Sequence, residues 1–207
     1  MDASSPTCLA AAAQRLGLTG SLDAVCVVDQ LVRDDAGSVG VTGIDKRPVD
    51  GPVRVRTLGL HGDVQADREH HGGPDKAVYA YATSDADWWA GELGREIPDG
   101  SFGENLRISG LDVDGAFPGE RWRVGERVVL EVTGPRIPCA TFGRWMEQRG
   151  WVRRFLQEGR LGTYLRVITA GEIAAGDVVE VMSIAEASPS SADASADPSA
   201  DPSGELV

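Results

Sequence analysis

The chain has 207 residues, of which 42% are hydrophobic and 25% charged, enough for one domain with a real core. Its formal net charge of −12 excludes the basic footprint of a nucleic-acid binder. It has no apolar run of the roughly 18 residues that a membrane helix needs. The three cysteines, Cys8, Cys26 and Cys139, lie far apart with no CxxC pair, which argues against a disulfide framework or a cysteine-rich zinc site.

Residues 1–20 are Ala-rich, with a short helical stretch around "LAAAAQRLG" stopped by Gly17, and read as an N-terminal extension. The start of the chain lacks the positively charged opening of a signal peptide, so a cytoplasmic protein is expected. Residues 21–182 read as one strand-rich domain. Its runs "AVCVVDQLV", "VRVRTL", "NLRIS", "RWRV", "RVVLEVTG", "TYLRVIT" and "DVVEVMSI" are short and β-branched, several alternate apolar with polar, and Gly, Pro or Asp separate them. The class is mainly β with a few short helices, closer to a β-barrel than to a βαβ array.

Two helical stretches interrupt the strands. "SDADWWAGELG" has Ser84 as N-cap, Gly94 as stop, and Ala86, Trp89, Ala90 and Leu93 on one face. "TFGRWMEQRGWVRRFLQEG" carries Phe142, Trp145 and Met146 on one stripe, then Val152, Phe155 and Leu156 on the next, most simply as core. Residues 183–207 repeat Ser-Ala-Asp-(Ala/Pro), hold five acids and no Lys or Arg, and read as a disordered acidic tail.

Three stretches can carry chemistry. In "DREHHGGPDKAVYAY", the adjacent His70 and His71 run into Gly72 and Gly73, and three readings stay open. With His61, Asp63, Asp67 and Glu69 the histidines could hold a metal. Gly72 and Gly73 could turn N–H groups toward an anion, with Lys76 adding charge. The segment could equally be an ordinary turn.

In "TGPRIPCATFGRW", Cys139 heads a predicted helix three residues after Arg136, and both features favour thiolate over thiol. Cys26, inside an apolar run, reads instead as a small strand residue. In "SFGENLRISGLD", Glu104 and Asn105 stand at the mouth of a strand, where they could read a heterocycle edge or simply satisfy backbone.

Taken together, "VGVTGIDKRPVDGPVRV", "GDVQADREHHGGPDKAVYAY", "FGENLRISGLDVDGAFPGERWRVG", "PRIPCATF" and "GTYLRVITAGEIAAGDVVEV" resemble the MOSC domain, in its order and roughly its spacing, from about Val39 to Met182. The chain looks nearest to the stand-alone, YiiM-like bacterial members. The resemblance implies a β-barrel of the type first described in pyruvate kinase. It also implies an association with the molybdenum cofactor (molybdopterin), a pterin dithiolene with a terminal phosphate.

The family's cysteine, thought to ligate molybdenum or carry persulfide sulfur, falls on Cys139. Its HGG segment falls on His71, Gly72 and Gly73, and Arg136 belongs to the same PRxPC motif as the cysteine. The implied chemistry is reduction of small N-hydroxylated substrates. His71 and Arg136 would supply a proton and stabilise charge, and Gly72, Gly73, Lys76, Glu104 and Asn105 would help to bind the cofactor.

No PLP-type domain precedes the module and no CxxC-rich iron–sulfur segment is present, so electrons are expected from a separate donor protein. YiiM-like proteins often continue in helical sequence, where this chain has its acidic tail. The alternative reading is a non-catalytic carrier of cofactor or persulfide sulfur, with a zinc hydrolase a distant third.

Overall fold

In the computed structural model, which describes residues 13–66 and 72–184, most strands fall where apolar and polar residues alternate. The first is β1 (Thr19–Val28), followed by β2 (Val32–Asp34), β3 (Gly40–Thr42), β4 (Lys46–Pro48), β5 (Val53–Arg56), β6 (Gly59–Leu60) and β7 (Val78–Ala82). Helix α1 (Thr83–Leu93) leads to β8 (Leu106–Ser109), β9 (Glu120–Val124) and β10 (Val128–Pro135). Helices α2 (Ala140–Trp145) and α3 (Trp151–Glu158) precede β11 (Thr163–Thr169), β12 (Gly171–Ile173) and β13 (Val178–Ile184).

Seven strands close on themselves in the order β13-β9-β10-β11-β7-β8-β1, with β1 pairing back to β13. The protein is therefore mainly β and barrel-shaped, as expected. Six of the seven ladders are antiparallel and β7–β8 is parallel. Closure leaves no free edge in the barrel and buries Leu22, Leu106, Trp122, Leu130, Leu165 and Val181 completely.

Strand β7 departs from the alternating pattern. All five of its residues are buried: Val78, Ala80 and Ala82 join the barrel core, while Tyr79 and Tyr81 face a second core. A strand covered on both sides reads as one apolar run, so alternation does not pick it out. The second core packs Trp89 against Trp151 at 4.6 Å between ring centres, Phe142 against Phe155 at 5.0 Å, and Tyr81 against Phe102 at 4.8 Å. These contacts hold all three helices on one flank of the barrel.

The helices differ from expectation at their ends. Helix α1 starts at Thr83 with Ala82 at its N-cap, and no side chain caps it; Thr83 Oγ1 donates to Asp23 instead (2.6 Å). Its stop at Gly94, in the left-handed conformation, is as expected. The second helical stretch splits in two because Glu147 and Gly150 take positive φ (53° and 72°). Phe142, Met146 and Phe155 are core, Trp145 and Val152 are half-buried, and Leu156 is exposed.

Strands β2 and β3 form a separate two-stranded arm outside the barrel. Its anchor is Asp34, whose carboxylate accepts hydrogen bonds from Arg144 Nε (2.8 Å), Arg144 Nη2 (2.7 Å) and Thr141 Oγ1 (2.7 Å) on α2. The hydrogen bonds from Arg144, then Thr141, hold the Asp34 carboxyl below the usual carboxylate range.

Two outcomes follow. Trp151→Ala, which empties the centre of the aromatic core, should cost about 3–5 kcal/mol by urea unfolding, with the far-ultraviolet spectrum of the barrel retained. The Asp34 latch needs the ionised carboxylate. Its contribution is therefore complete above the ordinary carboxylate pKa and lost as pH falls through the lowered folded-state value. Hydrogen-exchange protection of the arm should fall in acid, and Asp34→Ala should remove it already at neutral pH.

Candidate functional site

The segment from β10 to α2 carries Arg136 and Cys139 to one wall of a cavity of about 140 Å³. Lys76, Tyr79, Asn105 and Tyr164 line it from the barrel side, Val39 and Val41 from the arm. Five residues singled out in the sequence, Cys139, Arg136, Asn105, Lys76 and Asp63, therefore share one cavity although they span more than seventy positions.

Cys139 is half-buried, with extended backbone (φ −120°, ψ 175°) just before α2, and its carbonyl accepts the Gly143 N–H (3.0 Å). Its sulfur acts electrostatically on two guanidiniums, favouring the protonated form of Arg136 and of Arg144. The cysteine therefore sits in a positive field. Cys26 is different: burial, then Glu104, push its thiol up to about 12, which leaves it an inert strand residue.

Arg136 is only 6% exposed. Its guanidinium lies 3.7 Å from the centre of the Phe142 ring and 5.0 Å from that of Tyr79, and its backbone N–H donates to the Gly162 carbonyl (3.1 Å). Burial works against the charge, but the Tyr79, Tyr164 and Cys139 groups outweigh it and keep the side chain protonated. The buried Nη1 has no acceptor among the described residues. A buried cationic nitrogen in that position is set to receive an anion.

Lys76 reaches the same cavity, its Nζ 5.9 Å from the centre of the Tyr164 ring. Asn105 accepts the Tyr79 N–H through Oδ1 (3.1 Å) and donates from Nδ2 to Asp63 (2.8 Å) and the Cys26 carbonyl (3.2 Å). Glu104 lies beneath the wall rather than on it. Its carboxylate accepts the N–H groups of Gly100 (2.8 Å) and Phe102 (2.9 Å) and pairs with buried Arg107.

Gly72 and Gly73 do not line the cavity. Gly73 has φ 84°, which suits glycine, and its N–H donates to Gln65 Oε1 (2.9 Å), so the cradle expected there is engaged by a side chain. His70 and His71, with Asp67 and Glu69, lie outside the described residues. Among the described residues no three His, Cys, Asp or Glu side chains cluster as metal ligands.

Tyr164 and Asp34 were not singled out in the sequence, and Asp63 was considered there only as a metal ligand. Tyr164 lines the cavity, and burial raises its phenol pKa while Arg136 lowers it. Asp63 accepts from Lys46 (2.7 Å), Asn105 and the Val28 N–H (3.1 Å), tying three segments together. Asp34 closes the arm onto α2. Their partners lie 17 to 110 positions away, so no local motif announces them.

Comparison with known proteins bears on the family and the fold. The chain is 37% identical over 145 residues to the uncharacterized protein YflK of Bacillus subtilis, covering 70% of this chain and 65% of that one. It is 32% identical over 145 residues to a protein named "Reductase" from Gibberella moniliformis, covering 68% of this chain and 26% of that one. The chain thus spans less than two thirds of either relative. The crystal structure of YiiM from Geobacillus stearothermophilus superposes with a TM-score of 0.65 at 27% identity, covering 79% of this chain and 75% of that one. The MOSC domain matches residues 67–180, more than half of the sequence, and so the chain belongs to the MOSC domain family, which is associated with binding of the molybdenum cofactor.

Proposed function

We propose that this chain binds the molybdenum cofactor in the cavity through Cys139 and reduces small N-hydroxylated compounds, with electrons from a separate donor protein. The observation that carries the reading is the meeting, in one cavity, of a half-buried cysteine and a buried guanidinium whose Nη1 lacks an acceptor. These residues fit the group: soft sulfur suits a thiophilic metal, and Arg136 suits an anionic ligand. The relative named as a reductase supports the class of reaction.

When bound, the cofactor supplies a redox metal able to pass an electron pair to the substrate nitrogen. Reduction of an N-hydroxyl group would consume that electron pair and two protons and release the amine and water. Cys139 would hold the metal, and Arg136, stacked on Phe142, would offer its charge to the departing oxygen. Tyr79 and Phe142 fix the orientation of that guanidinium. His71 is the proton donor in this reading, and Lys76 and Asn105 complete the binding wall.

The test is molybdenum and pterin content per polypeptide, followed by turnover of an N-hydroxylated purine with an artificial electron donor. Wild type from a cofactor-producing host should carry both metal and pterin, and Cys139→Ser should lose the metal. Arg136→Gln should keep the metal and lower turnover about 10²–10³-fold. Full metal content in folded Cys139→Ser would overturn the ligand assignment. Loaded wild type that passes cofactor to an apo-acceptor without reducing any N–O bond would make the protein a carrier.

A further inference from the structure

The chain has three tyrosines, and the fold uses them differently. Tyr79 and Tyr81, on β7, spend their hydroxyl protons on the loop before β11: Tyr79 donates to the Leu161 carbonyl (2.8 Å) and Tyr81 to that of Arg160 (2.9 Å). Tyr164, the second residue of β11, lines the cavity. Its backbone carbonyl accepts from Thr133 Oγ1 (3.1 Å), but its hydroxyl donates to no acceptor among the described residues. One phenol proton therefore remains unspent at the cavity wall.

The sheet register explains how Tyr164 comes to stand there. It lies opposite Tyr79 on β7 and Gly134 on β10, so the two tyrosine rings share one face of the barrel wall, 5.5 Å apart between centres. Gly134 puts no side chain beside the ring, and nothing lies within 4 Å of where its Cβ would stand. Two cations adjoin the pair of rings: Lys76 places its Nζ 5.9 Å from the centre of Tyr164, and the Arg136 guanidinium stacks on Tyr79 at 5.0 Å. Both carry donors only, so neither can take the phenol proton.

Reduction of an N-hydroxyl group takes two protons, of which His71 supplies one in the proposed reaction. Other proton-bearing groups around the cavity are engaged: Thr141 donates to Asp34 (2.7 Å), Lys46 to Asp63 (2.7 Å), and Arg136 keeps its proton. Lys76 serves as one of the charges of the binding wall. We infer that Tyr164 is a catalytic residue, the acid that gives the second proton to the oxygen leaving the N–O bond. The inference rests on the proposed function, whose cofactor supplies the electron pair. As the N–O bond breaks, its bonding pair leaves with oxygen, which takes the Tyr164 hydroxyl proton and departs as water. The supplied pair goes to nitrogen, which takes the proton from His71, and the phenolate regains its proton from solvent.

A phenol suits this task. With an ordinary pKa of about 10 it is neutral at physiological pH, so it holds its proton until the leaving oxygen becomes basic. Burial keeps it protonated, while the charge of Arg136 works in the other direction and favours the phenolate that the transfer leaves behind. Arg136 and Tyr164 thus divide the work on the departing oxygen, one giving charge and the other a proton. The ring packs on Tyr79 whether or not it carries a hydroxyl, so chemistry and packing separate cleanly at this position.

The test is Tyr164→Phe in the full chain, made in a cofactor-producing host beside wild type. Molybdenum and pterin content and the KM for an N-hydroxylated purine should hold, while kcat falls about 10²–10⁴-fold. A second readout needs no turnover. With carbon-13 at Cζ of the three tyrosines and no electron donor present, the NMR signal missing from Tyr164→Phe identifies Tyr164. The same purine added to loaded wild type should shift that signal and leave Tyr81 still. Unchanged kcat in loaded Tyr164→Phe would assign the proton to another group, Lys76 first, and overturn this inference alone. A Tyr164 signal that stays still under bound purine would do the same, and decides the matter if the variant loses its cofactor. Loaded wild type that reduces no N–O bond would instead overturn the proposed function, and this inference with it.

Discussion

A single five-residue strand buried on both faces is the constraint on which the rest of the molecule depends. Strand β7 closes the barrel between β11 and β8, and it also supplies the wall of the aromatic core. Tyr79 shows how much is concentrated there. Its backbone N–H and carbonyl are both taken by Asn105, its ring lies under the Arg136 guanidinium, and its hydroxyl donates to the Leu161 carbonyl. Tyrosine suits this position because one side chain combines a large apolar body with a polar tip. The barrel, the cavity and the helical flank are therefore one packing problem, solved around two aromatic residues.

The electrostatics follow from that packing. The chain is strongly acidic overall, yet Lys46, Lys76 and Arg136 line the cavity beside Asp34 and Asp63. The acids at the cavity are already paired: Asp34 with Arg144, Asp63 with Lys46, and, beneath the wall, Glu104 with Arg107. Each pairing removes a carboxylate that could have neutralised Arg136. A buried charge stacked on aromatic rings gains less than a paired one, so its retention at 6% exposure points to a ligand that completes it. Net charge speaks to solubility and long-range steering, and local pairing decides what a cavity attracts.

Much of this was legible from residue order. Alternation located most barrel strands, Gly94 marked the end of α1, and the PRIPC segment pointed to the wall that carries Arg136 and Cys139. Strand β7 was not, because burial on both faces erases the period of two. The Ser84 cap failed because the chain enters α1 directly from β7, leaving Ala82 at the cap position and Thr83 turned toward Asp23. Glu104 and Asn105 look alike in sequence as polar residues before a strand. The fold separates them, spending the Glu104 lone pairs on its own loop and on Arg107 while Asn105 both satisfies backbone and lines the cavity.

The two walls of the cavity differ in how firmly they are held. The Arg136 side is fixed by apolar burial: Phe142 and Tyr79 beneath the guanidinium, Gly162 on its backbone, and α2 locked by Phe142 and Met146 into the aromatic core. The arm side pairs only with itself as a sheet and is fastened to α2 by a carboxylate, with Val39 and Val41 largely exposed. Chemistry that depends on sulfur and positive charge at fixed positions belongs on the first wall, because core packing resists displacement where a half-exposed ion pair yields to acid and salt. That asymmetry explains why Arg136 and Cys139 come from the segment between barrel and aromatic core, while the tip of the arm contributes only the uncharged Gly37, Ser38 and Val39.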